Sequence, residues 1–306
     1  MKVTALAGGV GAARFLTGLT QLIEEDDLSV VVNTGDDINL FGLHISPDID
    51  IVTYTLAGIV DEDKGWGIRG DTFHCLNTLK KRGADTWFNL GDQDLATHIY
   101  RTDRLRQGLT LTEVTSEIAQ AVGLKAKILP MSNDKFETRI TTKDGSMHFE
   151  EYFVKRQYSD EVLGIEFVGA ETAKPSPGVL EGVLEADLVI VCPSNPIVSV
   201  GTILSVGGVR EALRRTDARV VAVSPIVAGA PLKGPADKMM RWRGVEVSAF
   251  GVAGLYSDFV DVLVIDSRDA ACKERIEALG LGVAVTNTVM ASLEDKVSLA
   301  KAALEN

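Results

Sequence analysis

Four stretches of this sequence combine residue types that could meet phosphates, a metal ion or a flat ring. The first, Gly8-Gly9-Val10-Gly11-Ala12-Ala13-Arg14-Phe15, joins an apolar run to a helical pattern, where backbone amides can approach an anion at a helix start. It is not a Walker loop, because no Gly-Lys-Ser/Thr follows. It also departs from the dinucleotide fingerprint, since Arg14 stands where a third glycine or alanine belongs. The alternative is a tight turn that only packs a helix on a sheet. The second stretch, Asn33-Thr34-Gly35-Asp36-Asp37, is followed by Ser46-Pro47-Asp48-Ile49-Asp50, so carboxylates gather beyond a strand end. Such acids suit a partly hydrated magnesium beside phosphates, or else cap turns and helices. Which of Asp36 and Asp37 turns inward stays open.

Gly65-Trp66-Gly67 and Trp87-Phe88-Asn89-Leu90-Gly91-Asp92 place aromatic rings near glycines, where a flat ligand could stack or where the rings simply fill a core. The fourth stretch, Cys192-Pro193-Ser194-Asn195-Pro196-Ile197-Val198-Ser199-Val200-Gly201, follows a strongly apolar strand. Ser224-Pro225 holds the same place after the next one. Rigid polar loops at strand carboxyl ends are where open α/β sheets bind ligands. His44, His74, His98 and His148 show neither zinc nor triad spacing and receive no role.

The elements that must carry these loops follow an α/β rhythm. A strand over 3–7, a helix over 12–23 and a strand over 28–32 give a parallel pair joined by a crossover helix. Residues 71–81 and 111–122 read as helices, the latter opened by Thr110, and 86–90 reads as a strand. Residues 137–142 and 147–154 flank an Asp144-Gly145 turn, an antiparallel hairpin signal. Strands over 188–192, 220–223, 262–265 and 283–285, with helices near 178–186, 270–279 and 293–304, resume the rhythm. The expected fold is α/β: a Rossmann-like, largely parallel sheet flanked by helices. Its core comprises 1–125 and 170–306, and 126–169 form an inserted β-hairpin region near the site.

The chain has 306 residues, 45% hydrophobic and 24% charged, enough for a sizeable core. Its formal charge of −12 disfavours nucleic acid, because the basic clusters Lys80-Lys81-Arg82 and Arg241-Trp242-Arg243 are too short to neutralise many phosphates. For a small anionic ligand it calls instead for a divalent cation. Cys75, Cys192 and Cys272 form no Cys-x-x-Cys pair, which fits a reducing cytoplasm. No signal peptide or membrane span is expected.

In this order and spacing the Gly8–Phe15, Asn33–Asp37, Pro47–Asp50, Gly65–Gly67, Leu90–His98 and Pro193–Gly201 motifs resemble the 2-phospho-L-lactate transferase family of coenzyme F-420 biosynthesis, over nearly the whole chain. The resemblance implies transfer of 2-phospholactate from lactyl-2-diphospho-5′-guanosine to the ribityl hydroxyl of the deazaflavin Fo (7,8-didemethyl-8-hydroxy-5-deazariboflavin). GMP leaves and magnesium assists. It implies Asp50, Asp37 and Asp36 as catalytic and metal-side carboxylates, and Asp50, Asn89, Trp87 and Phe88 on the Fo side. Gly9, Gly11, Ser194, Asn195 and Ser224 are implied as GDP or GMP and phosphate contacts. A homodimer is compatible with it. Whether the donor carries a lactyl or an enolpyruvyl group is a difference of a few atoms and stays open. The rivals are a non-catalytic regulatory protein of the same superfamily that binds a nucleotide sugar, usually with Gly-Gly-Thr-Gly in the first loop, and an NAD-dependent dehydrogenase. Arg14 and the missing acid at the end of the second strand weigh against the latter.

Overall fold

The computed structural model describes all 306 residues. Seven strands form the main sheet: β1 Val3–Ala7, β2 Leu28–Val32, β3 Lys127–Pro130, β4 Leu188–Val191, β5 Arg219–Val223, β6 Val262–Asp266 and β7 Gly282–Thr286. Their spatial order is β7-β6-β5-β4-β1-β2-β3, and every neighbouring pair is parallel. These short runs of Val, Ile, Leu and Ala suit a sheet covered on both faces. In β1 the pleat turns Val3, Ala5 and Ala7 to one apolar layer, with Phe15, Leu16 and Leu299. Leu6 points to the other, with Val179 and Ile203.

The sequence order reverses at β1, which has β2 on one side and β4 on the other. Open α/β sheets present their ligand crevice at such a switch point, outside the strand carboxyl ends. Here that crevice lies between the Gly8–Gly11 turn after β1 and the Pro193–Ser199 loop after β4. The helix α1, Gly9–Leu19, starts inside the glycine turn. The others that matter for the crevice are α2 Pro47–Leu56, α3 His74–Lys81, α4 Asp92–Arg106 and α5 Leu111–Ala121. As the sequence suggests, Thr110 opens α5: its hydroxyl accepts the Glu113 N–H, and the Glu113 carboxylate accepts the Thr110 N–H.

Three local expectations are corrected. Residues 86–90 form no strand, because their neighbours fasten the chain to helix starts instead. The Asp92 carboxylate accepts the backbone N–H groups of His74 and Cys75, and the Asp71 carboxylate accepts those of Gln93 and Asp94. The Asp144-Gly145 hairpin does form, pairing Glu137–Thr142 with Gly145–His148, and Gly164–Val168 adds a third strand. Its second strand, however, stops at His148, and Glu151–Lys155 closes into one turn of π-helix. Lys127–Pro130 pairs with β2 as the edge strand of the main sheet, so the antiparallel insertion begins after it.

At the other edge of the crevice Asp266, at the end of β6, anchors the segment that follows β7. Its carboxylate accepts the N–H and hydroxyl of Thr288, at 3.0 and 3.1 Å, and the side chain of Arg268 at 2.7 Å. Burial pushes this acid up, but those hydrogen bonds win and hold it down at about 2. A depressed carboxyl stabilises the fold fully above its ordinary range near 3.8, and that contribution is lost as the pH falls through about 2. The contribution is at most about 2 kcal/mol, since the exposed Arg268 is screened by solvent. Asp266→Asn should therefore lower unfolding free energy at neutral pH, with the difference from the parent vanishing by about pH 2 in acid denaturation. A difference that persists undiminished at that pH would contradict this linkage.

Candidate active site

The glycine turn is jammed against the loop after β4. The Gly8 N–H donates to Ser194 Oγ at 3.2 Å. A Cβ on Gly11 would lie 2.4 Å from the Pro193 carbonyl oxygen, and one on Gly8 would lie 2.6 Å from Ser199 Cβ. Only glycine lets the two loops touch. Both loops line a cavity of about 650 Å³ that runs on to Asp36, Asp48 and Asp50, then to Phe88 and Asn89, and is walled by Phe149, Phe153 and Met290. That volume falls in the ordinary range for small-molecule sites.

Of the residues singled out by sequence, Gly9, Gly11, Asp36, Asp50, Phe88, Asn89, Ser194, Asn195 and Ser224 line this one cavity. Ser194, Asn195 and Ser224 direct side-chain hydrogen bonds to the loops themselves. Asn195 Oδ1 accepts the N–H groups of Ile197 and Val198, and Ser224 Oγ accepts that of Ile226. Two expected residues lie outside it. Asp37 turns to the hairpin of Ile38–Leu40 and Leu43–Ile45, where His44 Nε2 lies at 2.9 Å and Ser46 Oγ donates at 2.8 Å. Trp87 packs edge-on against Phe88, with the Lys155 ammonium 5.9 Å from its ring centre.

Asp50 lies in the first turn of α2, and both its oxygens are engaged by the Arg101 guanidinium from α4. Arg101 is completely buried. His98, one turn earlier, has Nδ1 3.3 Å from Arg101 and 3.6 Å from Asp50, while Tyr54 donates to Asp94 at 2.8 Å. Spacing could have revealed this network, since His98 and Arg101 share a helical face with Asp94. Burial raises the Asp50 carboxyl above its usual range, although Arg101 and His98 pull it down. The result is a fixed carboxylate at the cavity wall.

A second acidic group lies toward the glycine turn, where Asp48 Oδ2 is 3.0 Å from the Cβ position of Gly8. The Asn33 Nδ2 donates to both Asp36, at 3.1 Å, and Asp48, at 2.9 Å. Glu150, from the inserted segment, is buried and lines the same cavity, and no sequence motif marks it. Burial, then repulsion from Asp48, pushes Glu150 up to about 8; burial raises Asp48 to about 6 and Asp36 well above its ordinary value. Asp36 Oδ1 is buried with no hydrogen-bond partner. Hard carboxylate oxygens with an unfilled acceptor fit a magnesium ion. At the rim, Arg14 and Lys233 are exposed cations with no ion-pair partner in the chain, placed to meet anionic ligand groups.

Fold and site together define a Rossmann-like α/β protein whose glycine turn, polar loops and buried acidic centre share one small-molecule-sized cavity. The family model for 2-phospho-L-lactate transferase CofD matches residues 3–293, and the chain belongs to that family, as a transferase. It is 44% identical to a phosphoenolpyruvate transferase of Streptomyces griseus, over 100% of this chain and 98% of the relative. It is 43% identical to a 2-phospho-L-lactate transferase of Methanococcoides burtonii over 96% of each, and 42% identical to one of Methanocaldococcus jannaschii over 99% of this chain and 97% of that one. A crystal structure of an upf0052 family member from Bacillus halodurans shares the fold at 17% identity, with a TM-score of 0.63 over 99% of this chain and 98% of that one. No helix is long and apolar enough to cross a membrane.

Proposed function

We propose that the chain moves a phosphorylated three-carbon acid from a guanosine diphosphate donor to the ribityl hydroxyl of Fo, releasing GMP. The donor is lactyl-2-diphospho-5′-guanosine in this reading. The observation that carries it is the continuity of the cavity, from Gly9, Gly11 and Ser194 at one end to Asp50, Phe88 and Asn89 at the other. Such a space admits donor and acceptor together. The acceptor oxygen attacks the phosphorus on the acid side in line, the bond from that phosphorus to the GMP oxygen breaks, and GMP carries away the electron pair. Catalysis is then mostly positioning and charge stabilisation.

In this arrangement Asp50, held by Arg101, orients the acceptor hydroxyl and receives its proton, and Asn89 contacts the acceptor. Phe88 offers a ring face to the deazaflavin. The glycine turn, with Arg14 and Lys233, binds the donor phosphates. Magnesium, when bound by the Asp36 side of the cavity, would neutralise charge on the phosphoryl oxygens. The names of the Streptomyces relatives favour a second donor, carrying enolpyruvyl in place of lactyl. Incubation with Fo, magnesium and each donor distinguishes them, because the deazaflavin products differ in mass by two hydrogens.

A guanine pocket also makes a ligand prediction. Guanine presents an acceptor at O6 and a donor at N1, and adenine reverses both, so buried groups matched to one are left unpaired by the other. GDP should raise the thermal midpoint more than ADP, UDP-sugars or NAD, and should bind at least ~10-fold tighter. A larger shift with a UDP-sugar would support the nucleotide-sugar regulator instead, and one with NAD the dehydrogenase.

A further inference from the structure

We propose that Lys238 is a positioning residue for the planar ring of the acceptor: it pins the turn at Gln157–Tyr158, and through that turn it holds the stacked rings of Tyr158, Phe153 and Phe149 that wall the cavity. The inference deepens the proposed function and rests on it for the identity of the ring. Hydrogen exchange of the turn is measured without either substrate, so the two readings fail separately.

Phe149 and Phe153 line the cavity, and Tyr158 lies outside it. The three rings form one ladder. Phe149 and Phe153 stack with centroids 5.5 Å apart and planes 9° from parallel, and Phe153 and Tyr158 stack at 5.6 Å and 19°. Rings at such spacings attract one another in offset stacks, so the outer ring steadies the inner two. The backbone that delivers Tyr158 is unfavourable on its own. Gln157 and Tyr158 have φ of 51° and 43°, and consecutive residues with a Cβ hold the left-handed region only where their surroundings impose it.

Lys238 imposes it from another element. On the helix Ala236–Trp242 its ammonium donates to the carbonyl oxygens of Tyr158, Ser159 and Asp160 at 2.6, 3.1 and 3.2 Å, which engages all three of its hydrogens. Trp242, one turn on, donates its indole N–H to the Leu163 carbonyl at 3.2 Å. Arg156 and Tyr152 also bind this turn, but from within the insertion, so they cannot set it against the rest of the cavity. The same helix begins at the cavity rim, where a Cβ on Gly234 would lie 3.8 Å from the Phe153 ring. The wall adjoins the acceptor end. Lys155, in the same π-helical turn as Phe153, pairs with Asp85 at 2.9 Å and lies 5.9 Å from the Trp87 ring centre, just before Phe88 and Asn89.

Lys238→Met in the full-length protein is the first test. Tyr158 and Ser159 are exposed, so water can replace the ammonium on their carbonyls and the fold should persist. The Tyr158 and Ser159 amides, which donate to the Tyr152 and Arg156 carbonyls, should exchange at least about tenfold faster than in the parent, with the main sheet unchanged. In steady-state assays at saturating donor, KM for Fo should rise about fivefold, the contribution of one aromatic contact, while kcat stays within about twofold because α2 still carries Asp50. GDP affinity by calorimetry should also stay within about twofold, as for a site with no shared contact. Tyr158→Ala should show the same rise in KM, and Tyr158→Phe, which restores the ring without the hydroxyl, should reverse it. Unchanged exchange in Lys238→Met would overturn the pin. A parental KM for Fo despite faster exchange, equal weakening of GDP and Fo, or failure of Tyr158→Phe to restore KM would overturn the role of the wall. A parent that binds no Fo while exchange behaves as expected would remove the proposed acceptor, and with it the ring assigned to the wall.

Discussion

Asp50→Asn should lower turnover at least ~100-fold, the usual loss when one positioned catalytic group is removed. It should also destabilise the protein, because Arg101 keeps its charge in a fully buried position and loses the carboxylate that engaged two of its nitrogens. Removing one partner of a buried pair typically costs about 3–5 kcal/mol. The two effects can be separated. Replacing Arg101 by Met in the same variant removes the stranded charge, and swapping a buried ion pair for apolar side chains is often neutral or better. The double variant should regain most of the stability, measured by urea unfolding, yet remain slow with Fo and donor at saturation. Recovery of turnover along with stability would reduce Asp50 to a structural anchor.

The value of that double variant comes from a contact hidden in the sequence. In sequence Asp50 is one of several acids gathered beyond strand ends and takes its role from the family resemblance, but nothing local says that Arg101, half a hundred residues on, would reach it. His98 has neither zinc nor triad spacing. It matters through the helical face it shares with Asp94 and Arg101, a spacing of three and four that sequence does carry. Asp36 and Asp37 are neighbours on the chain, and only the hairpin carrying His44 determines that Asp37 turns from the cavity. Glu150 falls in a strand-like run of the sequence, where alternation gives no reason to mark it. Its place in the cavity depends on the chain turning after His148.

The main sheet, by contrast, is legible almost strand for strand, because its strands are short apolar runs and several of them end at glycine, proline or asparagine. The exception at 86–90 follows from the same physics: Trp87, Phe88 and Leu90 have strand-like composition, but Asp71 and Asp92 bind the flanking backbone and leave no ladder partner. The edge strand β3 is harder to assign to the sheet, since a run of only four residues carries little periodicity of its own. Periodicity identifies elements, whereas pairing and long-range ion pairs decide where they go.

Gly11→Val should weaken GDP binding roughly 100-fold while Fo binding changes less than about threefold, the loss expected from displacing a positioning loop by about an ångström. The clash is with backbone rather than a side chain that could rotate away, since a Cβ at Gly11 would lie 2.4 Å from the Pro193 oxygen. The start of α1 and the Pro193–Ser199 loop must therefore separate, and the 3.2 Å bond from the Gly8 N–H to Ser194 Oγ is the first to go. These loops form the proposed phosphate end of the cavity, whereas Asp50, Phe88 and Asn89 are carried by α2 and the segment before α4. Because the collision arises at the first side-chain atom, Gly11→Ala should already show most of the effect. Overpacking of this kind costs about 1–3 kcal/mol of stability, so calorimetric titrations with GDP and with Fo belong well below the midpoint of each variant. Equal weakening of both ligands would mean that the turn serves only to pack α1 on the sheet, and would remove it from the nucleotide site.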